Sequence, residues 1–167
     1  MEVMVSPAGW LAWRGRRARC ALGRGGVRAD KREGDGATPV GRFPFRRLLY
    51  RADRLPPPVS GLPIARIQEE DGWCDAPEDP RYNRQIRLPY VASHERLWRA
   101  DGIYDLVAVI GHNDAPVVPF RGSAIFVHLA RPDYAPTEGC IALARRDLLA
   151  LLADLAPGDA MVVSAPG

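Results

Sequence analysis

Glycine and proline interrupt this chain so often that little of it can propagate a long helix: 16 of each are spread through 167 residues. A helix interior loses about 1 kcal/mol for each glycine and about 3 kcal/mol for each proline relative to alanine. An all-helical bundle is therefore disfavoured, and short strands joined by turns are expected. Apolar residues make up 47% and charged residues 26%, ordinary for a folded protein, which sets aside a disordered, collagen-like or coiled-coil chain. Residues 1–167 suit one domain around a single core, and a monomer is expected.

Between the interruptions the apolar residues fall into short groups. Residues 9–15 and 19–22 read as a small antiparallel hairpin, followed by a turn at 23–26. The turn formers Asp35-Gly-Ala-Thr-Pro-Val-Gly41 lead into a strand over 42–51. Pro56-Pro57-Pro58 makes a stiff loop, expected to stand away from its neighbours and to serve either as a rigid connection, the default, or as one wall of a cleft. Residues 64–74 alternate well enough for one strand. The strongest strand signals are 104–111 and 124–130, rich in β-branched residues and expected to be central in the sheet. One helix is expected over 144–155, where leucines at 148, 151, 152 and 155 recur at helical spacing before Pro157-Gly158. A last strand follows at 160–164. The expected class is mostly β (α+β), a two-sheet sandwich or barrel with one helix in the C-terminal half.

The net charge of +3 is too small to demand nucleic acid as a partner, although thirteen of the 23 basic residues lie in the first 54 positions. All but Lys31 are arginines, planar forks suited to carboxylates or phosphates. Cys20, Cys74 and Cys140 show no C-x-x-C spacing, so neither a metal nor another cofactor is expected. The longest wholly apolar run, 148–153, is far below the roughly 20 residues of a membrane span. The N-terminal Met1-Glu-Val-Met-Val-Ser-Pro7 does not read as a secretion signal, so the expectation is either a cytosolic protein or one whose signal has been removed or is not recognisable.

Chemistry concentrates in His128-Leu-Ala-Arg-Pro-Asp-Tyr-Ala-Pro-Thr-Glu-Gly-Cys140. A cysteine needs a base or a positive field to become a nucleophile near neutral pH, and an adjoining imidazole supplies either. Gly139 removes a side chain where a substrate carbonyl must approach, and backbone N–H groups around Cys140 can form an oxyanion hole. The bland alternative is an inert buried cysteine beside a core histidine. If the strands ending at His112 and His128 run parallel, both histidines finish on one edge and His112 joins the site. Tyr134 and Thr137 are further candidate substrate contacts, Thr137 equally a turn residue bonding its own backbone.

His128, a loop, Thr-x-Gly-Cys140 and a leucine-bearing helix resemble the catalytic signature of L,D-transpeptidases, the YkuD-type domains of bacterial peptidoglycan metabolism. The Thr38-Pro39-Val40-Gly41 turn, and the closing Asp147-Leu-Leu, Pro157-Gly158-Asp159 and Met161-Val-Val, resemble that family's early turn and its last helix, turn and strand. The resemblance covers residues 23–163. It implies Cys140 as nucleophile, His128 as general base with a backbone carbonyl orienting its ring, and peptidoglycan peptide stems as substrate. A thioester would be resolved by an amine of a second stem, or by water in an L,D-carboxypeptidase. The periplasm follows from that substrate.

Many members read Ser-His-Gly-Cys with an arginine two residues on; here Glu138 and Ala142 take the places of the second histidine and the arginine. The missing arginine removes a carboxylate clamp, for which Arg131 can substitute, and leaves the cross-link open between 3,3 and 1,3 types. A papain-like peptidase is disfavoured because its cysteine precedes its histidine. From another class, a non-catalytic module could hold an anionic glycan through Arg14, Arg16, Arg17 and Arg19.

Overall fold

The first 21 residues fold as a meander because apolar side chains alternate with polar ones between residues that accept a left-handed backbone. β1 (Glu2–Ser6) buries Val3 and Val5, β2 (Trp10–Trp13) buries Leu11 and Trp13, and β3 (Arg16–Ala21) buries Ala18 and Cys20. Gly9, Arg14 and Gly15 turn the chain at positive φ. The expected hairpin is β2 with β3, and β1 extends it by an additional strand.

In the computed structural model, which describes residues 1–167, eleven more strands and one helix follow. Two short strands, β4 (Val27–Arg28) and β5 (Thr38–Pro39), pair in parallel. Next come β6 (Gly41–Tyr50), β7 (Ile64–Arg66), β8 (Asp71–Cys74), β9 (Gln85–Arg87), β10 (His94–Arg96), β11 (Leu106–Ile110), β12 (Phe126–Leu129) and β13 (Ile141–Leu143). The helix α1 (Arg145–Asp154) and β14 (Ala160–Val163) complete the chain.

The strand order β11-β12-β13-β3-β2-β1-β14-β6 closes on itself because β6 is long enough to pair twice. Its first half, residues 41–44, pairs with β14, and its second half, residues 45–50, pairs with β11; β7 branches from the β6 end. The result is a β-barrel with one helix, the mostly β class expected. Strands β11 and β12 are paired on both sides, as their composition predicts.

Inside lies the larger core, where Val5, Leu11, Leu48, Ala108, Val127, Ile141 and Met161 meet Leu148, Leu151 and Leu152 of α1. Beyond the helix Leu155 is extended and Gly158 has φ 94°, so the chain leaves as the Pro-Gly pair predicts. Leu151→Ala should cost about 2–5 kcal/mol, measured by urea unfolding, since the side chain is fully buried and the barrel cannot collapse onto it.

A smaller core covers the other face of β6, β11 and β12. Leu49, Val107, Val109, Phe126 and Cys140 pack there against Trp73, Leu97 and Tyr104. Its lid is a three-stranded sheet in the order β10-β8-β9. The expectation of one strand over 64–74 is corrected here. The Gln68 N–H donates to the Asp71 carboxylate and the Asp71 N–H to the Gln68 carbonyl, a turn that separates β7 from β8 and sends the latter into the lid. The Pro56-Pro57-Pro58 loop does not wall the cleft. Pro58 is buried, and the following Gly61 N–H donates to the Leu155 carbonyl at the end of the helix. No helix is long and apolar enough to cross a membrane.

Candidate functional site

β12 and β13 run parallel with His128 opposite Ala142, and side chains alternate along each. Phe126, His128, Cys140 and Ala142 therefore share the face that looks toward the small sheet. Cys140 sits one residue before β13, where the Phe126 N–H donates to its Sγ at 3.3 Å and its thiol donates to the Ala124 carbonyl at 3.2 Å. His128 Nδ1 lies 2.9 Å from the Leu129 carbonyl. A carbonyl only accepts, so the proton is on Nδ1 and the lone pair on Nε2. Tyr104 packs against the imidazole in a T-shaped contact, 5.2 Å between centroids. Both Cys140 and His128 line one cavity of about 400 Å³, with Tyr104, Glu95 and Arg99 on the facing wall.

Burial dominates the electrostatics. It pushes the Cys140 thiol up to about 12, with the Glu95 charge acting in the same direction and the Phe126 N–H against it. It pushes His128 down to about 4, opposed by the bond to the Leu129 carbonyl. Both shifts favour the neutral forms, a thiol and an unprotonated imidazole lining the same cavity.

The turn that delivers Cys140 is built by Thr137 and three glycines. Thr137 Oγ1 donates to the Cys140 carbonyl at 2.6 Å and accepts from the Gly139 N–H at 3.1 Å. That takes the Gly139 N–H out of any oxyanion hole, whereas the Cys140 N–H makes no hydrogen bond within the protein. Gly139 has φ 129°, and a Cβ there would lie 2.7 Å from the Ala37 carbonyl oxygen. A Cβ on Gly23 would lie 2.2 Å from the Gly36 carbonyl oxygen and 2.9 Å from Gly139 Cα. Gly139→Ala should thus destabilise by about 3 kcal/mol, combining backbone strain with overpacking, and should displace the thiol. Thermal unfolding, together with thiol titration of the folded protein, checks both effects.

The other expected site residues scatter. β11 and β12 are antiparallel, with Val107 opposite His128, so His112 finishes at the far end of the sheet from His128. There His112 Nε2 meets the Arg121 carbonyl at 3.1 Å and its ring packs on Phe43; it does not line the Cys140 cavity. Tyr134 stands outside the cavity under the Arg19 guanidinium, 4.3 Å away. Arg131 does line it, held 3.3 Å from Asp101, which also pairs with Arg99 at 2.6 Å. Thr137 lines the cavity while keeping its turn role. Glu138 is on the rim, paired with Arg24 at 2.8 Å, and Ala142 leaves open space beside His128. Arg14 and Arg16 approach Asp154, and Arg17 stacks on Trp10, all away from the cavity.

Sequence reasoning missed Tyr104, Glu95 and Asp75 as parts of this cavity. Tyr104 had a signal, a phenol heading the strongest strand. Glu95 and Asp75 had none, since they lie in or beside strands only three or four residues long.

A family model for the L,D-transpeptidase catalytic domain, YkuD, matches residues 3–163. Among solved structures, an L,D-transpeptidase from Mycobacterium smegmatis aligns at 14% identity and TM-score 0.41 over 98% of this chain. The chain spans 58% of that protein's chain. No curated protein matches the sequence.

Proposed function

The chain belongs to the YkuD family of L,D-transpeptidase catalytic domains, and on that premise we propose that it is a cysteine acyltransferase of peptidoglycan stems, with Cys140 as nucleophile and His128 as general base. The observation that carries the reading is the locked imidazole. With Nδ1 held by the Leu129 carbonyl, Nε2 is the free base in the cavity that Cys140 also lines. Because the thiol starts protonated and bonded to the Ala124 carbonyl, it turns from that acceptor as Sγ attacks a stem carbonyl and its proton passes to Nε2. The Cys140 N–H, unused by the fold, donates to the developing oxyanion. The imidazolium then protonates the leaving amine, the C–N bond breaks and a thioester remains. An acceptor amine attacks the thioester, giving the new amide and returning the thiol.

Arg131 takes the part of the carboxylate clamp that Ala142 cannot supply. Of the cavity's cations, Lys31 is buried against Asp35 and Arg99 pairs closely with Asp101 at 2.6 Å, whereas Arg131 lies 3.3 Å from that carboxylate with about half of its side chain exposed. Arg131→Ala should raise the donor KM about tenfold with little change in kcat, as expected for loss of one charge-assisted bond made equally in ground and transition states. Steady-state kinetics on a tetrapeptide donor checks it. The open space at Ala142 is compatible with either a 3,3 or a 1,3 cross-link, and a peptidoglycan substrate supports a periplasmic reaction.

The deciding experiment is mass spectrometry of disaccharide-peptide fragments after incubation with the protein. Dimers establish the transpeptidase, and their fragmentation identifies the joined residues. Loss of D-alanine without dimers would make the protein an L,D-carboxypeptidase, and no change would overturn the catalytic reading.

A further inference from the structure

Ala124 sits two residues before β12 with φ 53°, a left-handed backbone that an L side chain rarely adopts, and its carbonyl accepts from the Cys140 thiol at 3.2 Å. Such a conformation persists only where its surroundings impose it. The Ala124 N–H donates to Asn83 Oδ1 at 3.1 Å. Asn83 is itself left-handed, at φ 55°, in the turn between β8 and β9, where its N–H donates to the Cys74 carbonyl at 2.9 Å.

The buried Asn83 side chain uses every hydrogen-bonding valence it has. Oδ1 also accepts from Trp73 Nε1 at 3.0 Å, and Nδ2 donates to the carbonyls of His112 at 2.9 Å and Asn113 at 2.8 Å. Donors surround the oxygen and acceptors the nitrogen, so the amide has one orientation. It ties the lid, the end of β11 and the approach to β12 into one junction. Asn83 does not line the cavity, and two hydrogen bonds through Ala124 separate it from Sγ. Any effect it has on the chemistry therefore passes through Ala124.

We propose that Asn83 is a positioning residue for the nucleophile: by pinning Ala124 it aims the carbonyl that holds the thiol proton, and so keeps Cys140 neutral until a substrate draws Sγ away. The assignment rests on the proposed function for the identity of the nucleophile, and on the path from Asn83 through Ala124 to Cys140 for the position. A carbonyl only accepts, so its bond is made with the thiol and lost with the thiolate. It opposes ionisation in the same direction as burial, which holds the thiol at about 12. Cys140 is thereby a poor target for small electrophiles, which do not reorient it.

The test is alkylation by iodoacetamide between about pH 7 and 10, with the rate at each cysteine read by peptide mapping and mass spectrometry. In wild type the Cys140 rate should climb about tenfold per pH unit throughout, because its value of about 12 lies above that range. Asn83→Gly accepts the left-handed backbone and removes only the side chain. It should raise the Cys140 rate about threefold at every pH with the slope unchanged, the effect of losing one bond to the neutral thiol. Cys74, paired with Asn83 and Arg84 in the lid, and Cys20 in the larger core report on loosening, and their rates should not move. Trp73→Phe removes the other donor to Oδ1 and spares Ala124, so it should leave the Cys140 rate at the wild-type value. Asn83→Asp keeps an oxygen for the Ala124 N–H and should react no faster than wild type; it decides the matter if the glycine variant does not fold. The groups that share the cavity with the thiol, Lys31, Glu95, Tyr104 and His128, are the same in all four proteins. An unchanged Cys140 rate in Asn83→Gly, a rise shared with Cys74, a profile that levels off near the ordinary thiol value of about 8.5, or a matching rise in Trp73→Phe or Asn83→Asp would overturn the proposal. The expected alkylation pattern in a protein that a carbapenem never acylates would keep the assignment of Asn83 and sink the catalytic reading.

Discussion

Cys140→Ala should abolish covalent labelling by a carbapenem and reduce turnover of stem peptides on the order of 10⁴-fold or more, the scale seen when a nucleophile is deleted. Intact-protein mass spectrometry reads the first effect directly: the adduct mass appears with wild type and is absent in the variant. The fold should survive. Removing Sγ leaves the Phe126 N–H without its acceptor, costing about 1–3 kcal/mol. Labelling that persists at another residue of the alanine variant would remove Cys140 from the mechanism.

His128→Gln should lower kcat/KM about 10²- to 10⁴-fold, the usual span for loss of a positioned base. Two pH profiles distinguish this role from a merely structural one. The competent histidine is neutral, so wild-type kcat/KM should fall on the acid side near His128's value of about 4, well below the ordinary 6.5. An imidazolium–thiolate pair would instead lose activity above the histidine's pKa. Stability follows the same group. The folded pKa is depressed, so between about 6.5 and 4 the unfolded chain binds the additional proton and stability falls as the pH falls. The shift corresponds to about 3 kcal/mol lost across that window, complete below the folded value. His128→Gln should flatten this part of the curve in urea titrations at stepped pH.

What could be read in advance was local. The helix bounds came within a residue because its leucines repeat at helical spacing and a Pro-Gly pair ends it. His128, Gly139 and Cys140 could be singled out because one strand, one loop and one turn contain them all. What escaped depends on contacts distant in sequence. Nothing in the run from Gly111 to Ser123 reports whether the next strand returns parallel or antiparallel, and that choice alone moved His112 to the other end of the sheet. The lid strands are too short for a period to show, so nothing singled out Asp75 and Glu95. The split between β7 and β8 rests on one carboxylate capping its own turn, which alternation of apolar residues does not detect. Thr137 satisfied the modest expectation, a turn residue, while also spending the Gly139 N–H that an oxyanion hole was expected to use.

The three-glycine contact under Cys140 has a consequence for synthesis on the ribosome. Gly23 and Gly36 emerge more than a hundred residues before their partner Gly139; the adjoining Arg24–Glu138 pair spans 114 positions. Closing so long a loop is slow and has no local nucleus to speed it. A nascent chain therefore carries Cys140 as an ordinary thiol without a seat. On the proposed function, Cys140 shares a cavity with His128 only once these two distant segments have closed, so an incomplete product has a thiol but no acyl-transfer site.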